Sequence, residues 1–337
     1  MNEKTNGNVL VSLKSIRKWF PVRQGFLANV LSRSKQEFVR AVDGVSFDIV
    51  RGEVFGLVGE SGSGKTTVGR VALHLLQPTE GKVMFDGIDL STYSREELRR
   101  LRSRMQVIFQ DPMASLNPRM SVSTAITHPL QIHQPERVKD KDEIVRTVLE
   151  DVGLTPPEVF MNKYPHQLSG GQRQRVVMAR ALVTEPDLIL ADEPIAMADV
   201  SVRSLLLDLM NQLKEEHNLT YLFITHDLAT AKYICDRVGV MYLGKMVEVG
   251  TLRAVYSKPL HPYTQALMAA VPIPDPHRRR DQPLPRGEIP SPINPPAGCR
   301  FHPRCPIAKA DCAEIEPEMR ELETGHFVAC HYAEQYL

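Results

Sequence analysis

The chain has 337 residues, with 41 Lys+Arg against 40 Asp+Glu, a formal net charge of +1, and 42% hydrophobic residues. That length predicts about two domains of ~150 residues, and the balanced charge excludes a global field of the kind that gathers nucleic acid. No window approaches the ~18 to 20 consecutive apolar residues of a membrane span, and the start, MNEKTNGNVL, carries no signal-peptide core, so a cytosolic polypeptide is expected.

In chain order, residues 9–20 alternate as a strand, and 38–50 hold a second one after a turn at Asp43-Gly44. Between them, 21–37 reads as an insertion whose apolar cluster (Phe26, Leu27, Val30, Leu31) suits either a partner or membrane surface or a solvated excursion. The stretch VFGLVGESGSGKTT then gives a buried strand (Val54–Val58), a glycine-rich loop and a helix start expected to run to about Leu76. Gly59, Gly64, Lys65 and Thr66 match G-x-x-x-x-G-K-[ST]. Glycines at 59, 62 and 64 let the backbone N–H groups face one point, so Gly59, Ser61, Gly62, Ser63, Gly64 and Thr67 form a phosphate cradle. Lys65 is placed to reach the β- and γ-phosphates and the Thr66 hydroxyl to ligate Mg²⁺; ATP or GTP is the expected ligand.

The segment KVMFDGIDL reads as a hairpin with Asp86-Gly87 as its turn, and 104–110 as a short strand with Gln110 at its end. From about 119 to 182 the periodicity turns helical, with Ile144, Val145, Val148, Leu149 and Val152 on one face and Gly153 as cap. Strands return at 187–192 and 221–226, separated by a helix with the stripe Val202, Leu205, Leu206, Leu209, Met210 and Leu213. This alternation predicts an α/β fold with a mainly parallel sheet covered on both faces. Asp192, at the end of an apolar strand, can hold Mg²⁺, and Glu193 can polarise an attacking water. A further strand, 238–242, leads to a hairpin at Leu243-Gly244. Nine prolines in 272–296 mark a linker, beyond which lie four of the five cysteines. Cys235 reads as a buried filler.

The stretch Leu168-Ser169-Gly170-Gly171-Gln172, followed by RQRVVMARAL, resembles the LSGGQ signature of the nucleotide-binding subunits of ATP-binding cassette (ABC) transporters. The resemblance implies a P-loop NTPase fold with an antiparallel β-subdomain, a helical subdomain (about 111–182) within an ATP-binding domain at 9–255, and a C-terminal extension at 256–337 with the linker and a Cys-rich tail. It implies two subunits packed head to tail, Ser169, Gly170, Gly171 and Gln172 of one closing over ATP bound by the other. By the same likeness Gln110 is the Q-loop glutamine, contacting Mg²⁺ or the lytic water, and His226 the switch histidine at the γ-phosphate. Asp199 is the D-loop aspartate, and Phe20, or alternatively Trp19, the adenine-stacking aromatic. Ala196-Met197-Ala198 departs from the Ser-Ala-Leu usual before that aspartate, which puts cross-talk between paired sites in question. One phosphate loop, one signature and no heptad run or basic stripe argue against ABC ATPases that act on DNA or ribosomes.

FQDPMASLNPRM, HPYTQALMAAVPIPDP and SPINPPAGCRFHPRCP look like the oligopeptide/dipeptide importer branch. That likeness implies peptide uptake or a related solute such as oligosaccharides, a paralogous or identical partner ATPase, two transmembrane permeases, an extracytoplasmic solute-binding protein, and a peripheral place on the cytoplasmic face of the membrane. Cys299, Cys305, Cys312 and Cys330 are spaced C-x5-C-x6-C-x17-C, without the tight pairs of structural zinc sites and without a ferredoxin run, so spacing leaves a [4Fe–4S] cluster and Zn²⁺ even. The resemblance favours the cluster.

Overall fold

The computed structural model describes residues 8–22, 36–270 and 287–337. The apolar cluster expected at 26–31 and the first part of the proline linker, 271–286, lie outside the described residues. In chain order the strands are β1 (Val9–Pro21), β2 (Phe38–Val50), β3 (Val54–Val58), β4 (Glu80–Phe85), β5 (Ile88–Asp89), β6 (Met105–Ile108), β7 (Leu188–Asp192), β8 (Thr220–Thr225), β9 (Arg237–Tyr242), β10 (Lys245–Thr251), β11 (Arg320–Glu323) and β12 (His326–Val328). The helices used below are α1 (Lys65–Ala72), α2 (Val122–His133), α3 (Lys141–Asp151), α4 (Gly170–Leu182), α5 (Val200–His217) and α6 (Pro262–Ala270). The chain forms two compact units.

The first unit comprises 8–10, Ile49–Phe55 and Phe85–Ile224. Its sheet pairs β6 with β7 and β7 with β8, both parallel, in the registers Met105↔Leu188 to Ile108↔Ala191 and Leu188↔Thr220 to Asp192↔Ile224. Every residue of β7 and β8 is buried, as strands covered on both faces require. In α3, Val145, Val148 and Leu149 face the core as expected, and Gly153 follows at φ 69°. The stripe of α5 is narrower than its spacing suggests. Leu206, Leu209, Met210 and Leu213 are buried but Leu205 is 56% exposed, and Leu207, outside the expected stripe, is buried instead. The buried face is thus centred one position further along. A charged ring that pattern reading missed closes one corner: Arg51 and Arg104 each bond both Asp86 and Asp187, at 2.5 to 3.0 Å, and hold the Asp86 carboxyl below its ordinary range, Arg104 foremost.

The second unit comprises Val11–Asp48, Gly56–Met84 and Thr225–Leu337. Here strands run in the order β2-β1-β4, and β9, β10, β12 and β11 form an antiparallel run. Two local expectations are corrected. Asp43-Gly44 is no turn: β2 passes through it, the left-handed Gly44 (φ 83°) being absorbed within the strand while Asp43 N–H bonds Gly244 O at 2.9 Å. And α1 stops at Ala72 instead of Leu76, because His74 enters the left-handed region (φ 51°) and the N–H groups of Leu75 and Leu76 fold back on Arg70 O, a Schellman-type end. The turn at Asp86-Gly87 has both residues left-handed (φ 53° and 79°), the geometry that two-residue hairpins favour.

The tail after the linker has its own anchors. Glu248 on β10 is fully buried and its carboxylate accepts from Leu260 N–H (2.8 Å), His261 N–H (3.0 Å) and His326 Nε2 on β12 (2.7 Å). Buried carboxylates persist only when satisfied in this way. Arg300 donates to Leu243 O at 2.5 Å and to the buried Asp43 carboxylate.

Candidate nucleotide site

In the second unit the phosphate loop leaves the end of the fully buried β3 and enters α1 through Gly64, its left-handed N-cap (φ 103°). A Cβ on Gly64 would stand 2.2 Å from Ala41 O, and one on Gly59 2.2 Å from Met241 O. Packing therefore demands both glycines; at Gly62 a Cβ would meet nothing within 4 Å, and only its φ of 79° requires glycine. Ser63 is buried and bridges the loop to the β9–β10 hairpin, its carbonyl accepting from Gly244 N–H at 2.8 Å. Lys65 is 6% exposed, and its ammonium donates to Gly59 O (2.7 Å) and Glu60 O (3.0 Å). Ser61 is exposed and Thr66 and Thr67 are half-buried. The result is a tightly packed glycine turn opening a helix, a setting that suits an oxyanion. Two C-terminal residues absent from the motif touch it. Tyr263 Oη accepts from Glu60 N–H at 2.9 Å, and Arg304 forks onto the Glu60 carboxylate.

The same unit holds His226 and the aromatic pair. His226 is exposed and lies one residue past β8 instead of within it. Trp19 packs against Phe38 (6.4 Å between ring centroids) with the Arg40 and Arg17 guanidinium groups 5.3 and 6.0 Å from its ring, whereas Phe20 has the Lys18 ammonium at 5.2 Å.

The first unit gathers the carboxylates. Because β6 and β7 are parallel neighbours, their ends deliver Gln110 and Glu193 to one place, and Gln110 Nε2 donates to Glu193 Oε2 at 3.0 Å. Asp192, 8% exposed, closes β7. Glu193 sits at φ 50° with its N–H on Ile224 O and its carbonyl accepting from Ala196 N–H. A left-handed glutamate at a strand end is the kind of backbone strain that clusters at functional sites. Sequence reasoning passed over Gln174, a buried amide on α4 whose Nε2 donates to Pro194 O at 2.5 Å. A glutamine at a core-facing position of RQRVVMARAL was the available signal. Ser169 is the N-cap of α4 and forms a capping box with Gln172: Gln172 N–H donates to Ser169 Oγ (3.2 Å) and Ser169 N–H to Gln172 Oε1 (3.0 Å). Asp199 caps the start of α5 without a side-chain bond to it, and the neighbouring Met197 is 66% exposed.

Comparison with known proteins decides which family carries this loop, the Glu193–Gln110 pair and the capped Gly-Gly helix start. Residues 42–196 match the ABC transporter family, and 247–312 match the family described as the oligopeptide/dipeptide transporter C-terminal region. The oligopeptide transport ATP-binding protein AppF of Bacillus subtilis is 48% identical over 97% of this chain and 98% of its own length. The chain is an ABC transporter ATP-binding subunit. Within that family, YkfD of Bacillus subtilis, a putative oligopeptide transport ATP-binding protein, is 51% identical over 88% of this chain and 91% of its own. Among solved structures, cbiO1 of Clostridium perfringens superposes with TM-score 0.61 at 27% identity, covering 74% of this chain and 91% of its own. The dimeric cassette MJ0796, bound to ADP and Pi, gives 0.59 at 31% identity, covering 72% and 99%. The ABC subunit is accordingly an α/β ATPase that binds ATP with Mg²⁺ and hydrolyses it. Among the described residues no helix is long and apolar enough to cross a membrane.

In the tail of this ABC subunit, Cys299, Cys305, Cys312 and Cys330 line one small pocket with His261 and Phe301. Cys299 N–H bonds Cys312 O at 2.8 Å. Burial pushes the Cys299 thiol up to about 12 and Cys330 up to about 11, and raises Cys305. Among the described residues no three His, Cys, Asp or Glu side chains are grouped to hold a metal ion. Cys235 is buried, 5% exposed, as expected of a filler, with its sulfur against Gly56.

Proposed function

We propose that this subunit powers an importer of oligopeptides or dipeptides. In this reading it pairs with a second ATPase subunit beneath two transmembrane permeases on the cytoplasmic face of the membrane, with an extracytoplasmic binding protein delivering the solute. The observation that carries the solute class is the C-terminal match at 247–312 together with relatives named for peptide transport over nearly their whole length. The cassette is assigned to 9–255 and the extension to 256–337. Gly59 to Thr67 cradle the phosphates and Phe20 stacks on adenine. Thr66, Gln110 and Asp192 would hold Mg²⁺, which would supply positive charge against the phosphates. Glu193, held by Gln110, takes the proton of the attacking water while His226 contacts the γ-phosphate; Ser169 to Gln172 and Asp199 act across the subunit pair. Supporting the assignment of the base, the Glu193 backbone is held by bonds to Ile224 and Ala196 and its carboxylate accepts from Gln110 Nε2, which orients it as a general base requires. In the assembled transporter, Glu193→Gln should cut turnover by about 100-fold or more while leaving ATP binding intact. Near-normal hydrolysis would remove Glu193 from the role.

The four tail cysteines are assigned to a [4Fe–4S] cluster. Their convergence on one pocket supports a shared ligand, and a cluster takes each thiolate on a different iron, so the sulfurs need not meet at a single ion as Zn²⁺ demands. Such a ligand would draw the raised thiols into the deprotonated state. Anaerobically purified protein should be brown with about four irons per chain, and Cys312→Ser should bleach it; colourless protein with one zinc would reassign the site.

A further inference from the structure

The phosphate loop carries an acid. Glu60, between Gly59 and Ser61, places a carboxylate in a turn whose other groups are arranged to receive anions, and an unneutralised negative charge there opposes phosphate binding. The C-terminal region answers it. Arg304 Nη1 and Nη2 lie 2.9 and 3.1 Å from the two oxygens of Glu60, a two-pronged pairing, and the Arg304 side chain is only 8% exposed. Its guanidinium is set against the rings of Tyr242 and Phe301, 5.8 and 5.9 Å from their centroids. Arg304 therefore cannot swing freely between partners.

Glu60 is pinned at its other ends too. Its N–H donates to Tyr263 Oη on α6 (2.9 Å), and its carbonyl accepts from Lys65 Nζ (3.0 Å). Tyr263, 1% exposed, packs its ring on Tyr242 (4.7 Å) and Phe301 (5.3 Å). Three residues from β9 and the C-terminal region thus form an aromatic seat that orients one arginine and one hydroxyl on a single residue of the loop. Hydrogen bonding to Glu60 makes the Arg304 guanidinium hold its proton more firmly still.

We propose that Arg304 is a positioning residue for the ATP site: it neutralises Glu60 and, with Tyr263, fixes the first turn of the phosphate loop in its nucleotide-ready shape. The C-terminal region then contributes to nucleotide affinity. This rests on the assignment of Gly59 to Thr67 as the phosphate cradle. A bidentate arginine is suited to the task because its planar fork imposes direction as well as charge.

The experiment is a thermodynamic cycle on the full chain, reading equilibrium binding of MgATP. Arg304→Gln should weaken binding by about tenfold, the scale of losing one charge-assisted pairing, and Arg304→Lys should recover only part of it. In a Glu60→Gln background, with no acid left to neutralise, the same Arg304→Gln change should cost less than about twofold, because contacting pairs couple. Tyr263→Phe, which removes only the hydroxyl, should cost a few-fold. An Arg304→Gln effect of equal size in both backgrounds would overturn the proposal, since the arginine would then act through general folding. So would unchanged binding, or a chain that fails to fold whether or not Glu60 is present. Lys65→Ala run alongside separates the two ideas: if it too leaves MgATP binding unchanged, the cradle assignment fails, not the Arg304 pairing.

Discussion

Two glycine-rich helix starts in this chain follow opposite designs. The phosphate loop at Gly59 to Thr67 is clamped from outside: Ala41 and Met241 carbonyls occupy the space a Cβ would need, and Tyr263, Gly244 and Arg304 bond to it. The signature at Ser169 to Gln172 is held by itself. It carries the reciprocal capping box, and the backbone N–H and Nε of Arg173 both donate to Ser169 O, at 2.9 and 3.3 Å; Gly170 has nothing within 4 Å of a would-be Cβ, and Gly171 has the Val202 methyl at 3.2 Å. One is a loop completed by residues from elsewhere in its own chain, and the other is a finished local fold.

That contrast can be broken at graded cost. Gly64→Ala is expected to be the most damaging, because a left-handed alanine is strained by roughly 1–2 kcal/mol before the contact with Ala41 O is counted. MgATP affinity of the single chain should fall by about 100-fold or more, each tenfold being about 1.4 kcal/mol, and a titration that gives wild-type affinity would show the loop to be less confined than its packing implies. Ser169→Ala should lower stability by about 1 kcal/mol through the lost cap, measured by denaturant unfolding, and should leave single-chain MgATP binding alone while depressing hydrolysis by the assembled pair. Weakened single-chain binding would mean the signature serves its own cradle. Gly170→Ala is the smallest: stability should stay within about 0.5 kcal/mol, with any loss confined to hydrolysis by the pair.

How legible each design was follows from where its determinants lie. The phosphate loop could be read from residues 54 to 67 because strand, turn and helix start are local, and the capping box could be read from Ser169 and Gln172 at their fixed spacing. Parallel pairing of β6 and β7 made Gln110 and Glu193 meet; strand alternation implied parallel strands but not which of them are neighbours. What could not be read was everything set by long-range contact. Arg304 lies 244 residues from Glu60, and no periodicity links them. The rotation of the α5 stripe that exposes Leu205 depends on what packs against the helix, and α1 ended early because His74 adopted a conformation that propensity does not announce. Asp43-Gly44 misled for a related reason: the pair is a turn signal, but a strand can absorb one left-handed glycine when its neighbours supply the hydrogen bonds.

The Glu248 carboxylate also sets a clock. Two of its three donors, Leu260 and His261 N–H, follow it by 12 and 13 residues, but the third, His326, lies 78 residues downstream. At the ~5–20 residues per second of protein synthesis, β10 waits roughly 4–16 seconds before the ring that finishes its buried acid has been made. During that interval the edge of β10 that later pairs with β12 is an open template for another strand, so the nascent chain is exposed to mispairing after its first 251 residues, through the end of β10, have been synthesised.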